Sequence, residues 1–125
     1  MTKKILVVED DTQIVKVYFE KLTAEGFAID TTLTADEALT KLKDNVYGLV
    51  ILDIMLPGHM NGFDLLERMK RDEKWKNIPV IVLTNLDSEE KTAKEIGANM
   101  YFVKSNTSME EIVTKIKSFF PETTN

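Results

Sequence analysis

The sequence predicts an α/β protein in which five parallel strands and five helices, a (βα)5 repeat, form a doubly wound three-layer αβα sandwich. Three observations point there. Five short runs rich in Val, Ile and Leu alternate with five helix-patterned segments. Most of these runs are continuously apolar, as expected of strands covered on both faces. Strands joined through helices must also run parallel.

The first run, Ile5-Leu6-Val7-Val8, stops at Glu9-Asp10-Asp11. The helix after it, from about Thr12 to Glu25, places Ile14, Val15, Tyr18, Phe19 and Leu22 on one face, and Gly26 is its left-handed stop. Phe27 to Thr31 is a less apolar strand that suits a sheet edge. Thr34 and Glu37 have capping-box spacing, and Ala38, Leu39 and Leu42 give the next helix a buried stripe. Leu49-Val50-Ile51-Leu52 is the most apolar strand, ended by Asp53. A loop around Pro57-Gly58 leads to a helix near Phe63 to Arg71, with Phe63, Leu66 and Met69 inward. Pro79 precedes the strand Val80-Ile81-Val82-Leu83, which ends at Thr84. A short helix from about Ser88 to Ile96 closes at Gly97. Met100 to Val103 is the fifth strand, ending at Lys104. The last helix starts from a second capping box, Ser108 with Glu111, and carries Ile112, Val113, Ile116, Phe119 and Phe120 on one side up to Pro121.

The chain has 125 residues, 43% of them apolar and 30% charged, with a formal net charge of −5. One domain over 1–125 is expected, with a core at about 3–120 and a short tail at 121–125. The acidic balance argues against direct nucleic-acid binding, which needs a basic surface. Cysteine is absent, which excludes disulfides, thiolate metal sites and a Cys nucleophile. The apolar runs are too short to cross a membrane, and no h-region follows Met1-Thr2-Lys3-Lys4, so a cytoplasmic location is expected.

In open parallel sheets, ligands collect at the carboxyl ends of the strands. There the sequence delivers Glu9 and Asp10 from strand one, Asp53 from strand three, Thr84 from strand four and Lys104 from strand five, while strand two offers nothing polar of note. Two unit charges about 4 Å apart repel by about 4 kcal/mol at an effective dielectric near 20. The three carboxylates therefore need a raised pKa, the Lys104 ammonium or a hard divalent cation. Mg²⁺ suits an all-oxygen donor set, whereas zinc lacks its usual His and Cys ligands. A carboxylate beside a cation and a lysine is suited to phosphoryl transfer, and Asp53, alone at the end of the central strand, is the best nucleophile.

Four motifs carry a resemblance that extends over essentially the whole chain: Ile5-Leu6-Val7-Val8-Glu9-Asp10-Asp11, Leu52-Asp53-Ile54-Met55-Leu56-Pro57-Gly58 with Gly62 after it, Val82-Leu83-Thr84, and Tyr101-Phe102-Val103-Lys104. Together they resemble the receiver domains of two-component response regulators. The resemblance implies a flavodoxin-like sheet of order 2-1-3-4-5. It also implies a phospho-acceptor switch that catalyses only its own aspartyl phosphorylation and dephosphorylation. Asp53 would accept a phosphoryl group from a sensor histidine kinase or a histidine phosphotransfer protein. Asp10 would bind Mg²⁺ directly and Glu9 through water, with Asp53 and the Met55 backbone carbonyl completing the metal site. Lys104 would pair with the phosphoryl oxygens and Thr84 would donate its hydroxyl to them. Tyr101 stands where the family keeps an aromatic rotamer switch. The last two helices and the fifth strand would form the output face toward a downstream target.

Three departures from the family pattern bear on the site. Ser105 replaces the usual Pro after the lysine, Gly58-His59-Met60-Asn61 is one residue longer than usual, and Asn85 replaces a small residue after Thr84. Plainer readings stand beside several assignments. Asp11 is best read as a helix cap, His59 as a solvated loop residue, and Lys91, Lys94, Lys115 and Lys117 as solvated helix faces. The alternative function is a phosphorylation-independent interaction module on the same fold. Retention of both acids, the acceptor, Thr84 and Lys104 argues against it. A flavodoxin-like cofactor carrier would need a phosphate loop where Glu9-Asp10-Asp11 stands. A haloacid-dehalogenase-type phosphatase would need Asp at the position of Met55.

Overall fold

In the computed structural model, which describes residues 3–121, strands and helices alternate along the chain. The elements are β1 (Lys4–Val8), α1 (Thr12–Ala24), β2 (Ala28–Thr32), α2 (Ala35–Asp44), β3 (Leu49–Leu52), α3 (Gly62–Arg71), β4 (Val80–Thr84), α4 (Glu90–Ile96), β5 (Met100–Val103) and α5 (Met109–Ser118). The sheet has the expected five strands in the order β2-β1-β3-β4-β5, all paired in parallel. Met1, Thr2 and the expected tail after Pro121 lie outside the described residues.

Side-chain alternation along the strands builds two cores. Leu6, Val8, Val50, Leu52, Val80 and Val82 face α2, α3 and α4. Ile5, Val7, Leu49, Ile51, Ile81 and Leu83 face α1 and α5. Most of these side chains are fully buried, each contributing about 1.5–3 kcal/mol by leaving water. This double covering explains the unbroken apolar runs. No described helix is long and apolar enough to cross a membrane.

The structure corrects the sequence reading in detail. On α1 the inward stripe is Ile14, Tyr18 and Leu22, whereas Phe19 is 45% exposed. The helix rests on one side of the sheet, so residues flanking the stripe fall outside it. β2 begins at Ala28 because Phe27 is used otherwise: its amide bonds the Leu22 carbonyl at 3.1 Å, and its ring meets Phe120 with centroids 5.1 Å apart. Gly26, with φ of 96°, supplies the left-handed turn between them. In α3, Gly62, Leu65, Leu66 and Met69 are buried and Phe63 only partly so. Its start carries a full capping box between Asn61 and Asp64, an Asn/Asp version of the Ser/Thr–Glu pattern. α4 starts at Glu90, later than expected, and lacks a side-chain cap. A single 3₁₀ turn, Lys104–Asn106, links β5 to α5.

Candidate functional site

Sheet register brings the strand ends level. Val8 pairs with Leu52, so Glu9 and Asp53 leave adjacent strands at the same height. Thr84 pairs with Val103, which sets Lys104 one residue beyond. Main-chain bonds extend the ladder past the strands: the Glu9 amide donates to the Thr32 carbonyl and the Asp53 amide to the Val8 carbonyl, both at 3.0 Å.

Glu9 and Asp53 are almost fully buried, at 4% and 6% exposure, while Asp10 is exposed on the turn above them. One carboxylate oxygen from each of the three lies within 4.8 Å of the others. Asp53 is held in orientation by its own loop, since Oδ1 accepts from the Met55 amide at 3.0 Å. Its other oxygen, Oδ2, accepts from Lys104 Nζ at 2.8 Å. The same ammonium bonds Glu9 Oε1, and Glu9 Oε2 accepts from the Asp11 amide at 3.1 Å. Asp11 is the cap of α1, its Oδ1 accepting from the Gln13 and Ile14 amides.

The charges respond to this packing. Burial pushes the Glu9 carboxyl above the usual carboxylate range, and the bonds from Lys104 and Asp11 only partly offset it. Burial alone would lower the Lys104 ammonium, but Asp53 and Glu9 outweigh it and hold the group above its ordinary value. The stabilisation from that pairing is complete below the ordinary lysine value of 10.5 and is lost only as pH rises through the higher folded-state value. The Tyr18 phenol is pushed up to about 12, by burial first and then by the charge of Glu9.

Thr84 is fully buried, and its Oγ1 accepts from the Leu86 amide at 3.4 Å. The Tyr101 hydroxyl donates to the Leu86 carbonyl. Leu86, which sequence reasoning did not single out as a link, therefore hydrogen-bonds both Thr84 and Tyr101. Only its main chain takes part, so no residue type could have announced it. The Lys104–Ser105 bond is trans, and Lys104 still reaches both buried carboxylates without a following proline. In the longer loop His59 is exposed and lies 3.5 Å from Asp36, Met60 packs against the core, and Gly58 takes a φ of 99°. Asn85 is exposed. The second strand is less bare than expected: Thr32 ends it, buried, with its hydroxyl unpartnered.

A cluster of buried carboxylates and a lysine at the carboxyl edge of a 2-1-3-4-5 parallel sheet defines a flavodoxin-like receiver fold. Comparison with known proteins makes the class specific. The family model for the response regulator receiver domain matches residues 5–117, and the chain belongs to that family. The phosphate regulon transcriptional regulatory protein PhoB of Rhizobium meliloti (strain 1021) is 36% identical over 120 residues, covering 94% of this chain and 52% of that protein. The chain thus spans about half the length of that relative. The Francisella response regulator 1452 receiver domain superposes with a TM-score of 0.85 at 28% identity, covering 94% of this chain and 95% of that one. TrrA from Thermotoga maritima, solved in complex with Mg(2+)-BeF, gives 0.82 at 33% identity over 95% and 99%. Receiver domains are switch modules and, as a class, not conventional enzymes.

Proposed function

We propose that the chain, one receiver domain over residues 1–125, takes a phosphoryl group on Asp53 from a phosphohistidine and passes the change to the face formed by α4, β5 and α5. The donor is a sensor histidine kinase or a histidine phosphotransfer protein, the setting is the cytoplasm, and the target is a protein met at that face. One observation carries this reading: the buried Asp53 carboxylate is held by the Met55 amide and Lys104, with Glu9 and Asp10 beside it.

In the transfer an Asp53 carboxylate oxygen bonds to phosphorus while the P–N bond to the donor imidazole breaks, the electron pair returning to the ring nitrogen. Lys104 is placed to pair with the phosphoryl oxygens as charge builds. The all-oxygen set of Glu9, Asp10 and Asp53 fits Mg²⁺, with the Met55 carbonyl as a further ligand, and the ion when bound supplies Lewis-acid neutralisation of the transferring group. Thr84, turning its hydroxyl to the phosphoryl group, disturbs its bond from the Leu86 amide. Tyr101, tied to the other side of Leu86, moves with it.

Incubation with acetyl phosphate followed by intact-mass measurement tests the reading. One phosphoryl group is expected with Mg²⁺ and none after chelation; equal labelling in both would contradict it. The two acids should also differ. Asp10→Asn, at the exposed acid, is expected to weaken Mg²⁺ about tenfold or more, and Glu9→Gln much less, by calorimetric titration. Equal losses would show the roles to be shared.

The lifetime of the phosphorylated state follows from neighbouring side chains. Met55 is apolar and 55% exposed beside the acceptor, while half-buried Leu86 packs against the core. Neither can position a hydrolytic water, so slow decay is expected. Met55→Asn with Leu86→Glu should speed decay about tenfold, the worth of one well-placed hydrogen bond. Met55→Asn should carry most of that gain, and time courses at fixed Mg²⁺ showing no acceleration would exclude this control.

A further inference from the structure

We propose that Met55 is a site of reversible oxidation by a neutral peroxide, and that the sulfoxide formed there shortens the life of a phosphoryl group on Asp53. The effect on lifetime rests on the reading of Asp53 as acceptor given above; the site of oxidation does not.

Met55 differs from the other methionines in access. It is 55% exposed, whereas Met60, Met100 and Met109 are half-buried against the two cores and Met69 is fully buried. A thioether has no ionisation to tune, so access decides which methionine reacts first. Among the described residues, Met55 is the methionine open to a dissolved oxidant.

Its position is also fixed. The side chains on either side, Ile54 and Leu56, are buried in the core under α2, α3 and α4. The Ile54 carbonyl accepts from the Leu56 amide at 3.0 Å and from the Gly62 amide at 2.9 Å. An anchored turn therefore presents Met55 outward, while its own amide donates to Asp53 Oδ1 at 3.0 Å. A chemical change in this side chain stays beside the acceptor, because the turn cannot swing it away without breaking those bonds.

The surroundings select the oxidant. Glu9, Asp10 and Asp53 bring carboxylate oxygens within 4.8 Å of one another, and the chain carries a formal net charge of −5. That field repels anionic oxidants and leaves a small, uncharged one, hydrogen peroxide. The sulfur electron pair forms an S–O bond as the peroxide O–O bond breaks, and the second oxygen leaves as water with both protons. Sulfur is oxidised by two electrons and the peroxide is reduced by two. The sulfoxide oxygen accepts hydrogen bonds that the thioether sulfur accepts only weakly. An apolar cover thus becomes a group that holds a water next to the phosphorus, where hydrolysis needs one.

The test oxidises the full chain with hydrogen peroxide, removes the peroxide and divides the product. One portion is peptide-mapped by mass spectrometry; the other is phosphorylated with acetyl phosphate and its decay followed at fixed Mg²⁺. Met55 is expected to gain oxygen about tenfold faster than Met69, and ahead of Met60, Met100 and Met109. Decay is expected to quicken about threefold or more after oxidation, the worth of one hydrogen bond to the attacking water. Methionine sulfoxide reductase should restore the slower rate, and peroxide treatment should not quicken decay in Met55→Leu relative to that variant untreated. Failure of Met55 to lead the other four methionines overturns the site. Oxidised Met55 with decay unchanged or slowed, or equal quickening in Met55→Leu, overturns the effect on lifetime. A chain that takes no phosphoryl group before oxidation overturns the acceptor reading, and the effect on lifetime with it, while the order of oxidation still decides the site.

Discussion

Asp53→Asn will take up no phosphoryl group under conditions in which the unaltered chain gains one. The substitution is nearly isosteric and keeps an oxygen for the Met55 amide, which now orients Oδ1 at 3.0 Å. Lys104 retains Glu9 as a partner, so the fold should persist. Only the nucleophile is lost: a neutral amide oxygen has neither the charge nor the basicity to attack phosphorus and displace imidazole or, from acetyl phosphate, acetate. Intact-mass spectrometry after incubation with acetyl phosphate and Mg²⁺ is the measurement. Labelling of the Asn variant at the rate of the unaltered chain would place the acceptor elsewhere, with Asp10 the first alternative to examine.

Gly62→Ala will be among the most destabilising single-methyl additions in the chain. A Cβ there would lie 2.3 Å from the Asp53 carbonyl oxygen and 2.5 Å from the Ile54 Cα, both main-chain atoms that cannot rotate away. Relief requires α3 to lift from the end of β3, breaking the 2.9 Å bond from the Gly62 amide to the Ile54 carbonyl. Overpacking of this kind costs about 3 kcal/mol, which in a chain of this size lowers Tm by about 10–15 °C. The same movement displaces the Asp53 loop, so phosphorylation should slow as well. Gly26→Ala is the control, because nothing lies within 4 Å of its Cβ and the cost is only that of a left-handed φ, about 1–2 kcal/mol. Thermal unfolding that ranks Gly26→Ala as the worse substitution would contradict the packing account.

The strands were legible because burial on both faces writes an unbroken apolar run. The candidate site was legible because topology sends every strand's carboxyl end to one edge, where Glu9, Asp53, Thr84 and Lys104 gather. Other features leave weaker marks. Leu86 joins Thr84 to Tyr101 through its amide and carbonyl, groups common to nearly all residues. The close approach at Gly62 depends on how α3 seats against β3. Phe19 fits a helical stripe as well as Tyr18 does, and only the seating of α1 decides between them. Phe27 has strong strand propensity, yet it closes the end of α1 and packs on Phe120, because tertiary contact outweighs local preference. The bond from Lys104 to Glu9 spans four strands and has no local pattern at all.

In the proposed function, charge placed on Asp53 is read by Thr84 and Tyr101 through the main chain of Leu86. Backbone amide NMR of the chain with Mg²⁺, before and after acetyl phosphate, tests it most directly. Large shifts are expected at residues 53–55, 84–86 and 101–105, spreading to exposed positions of α4 and β5, and none of them in Asp53→Asn. Shifts confined to the neighbourhood of Asp53, with Leu86 and Tyr101 unmoved, would contradict it.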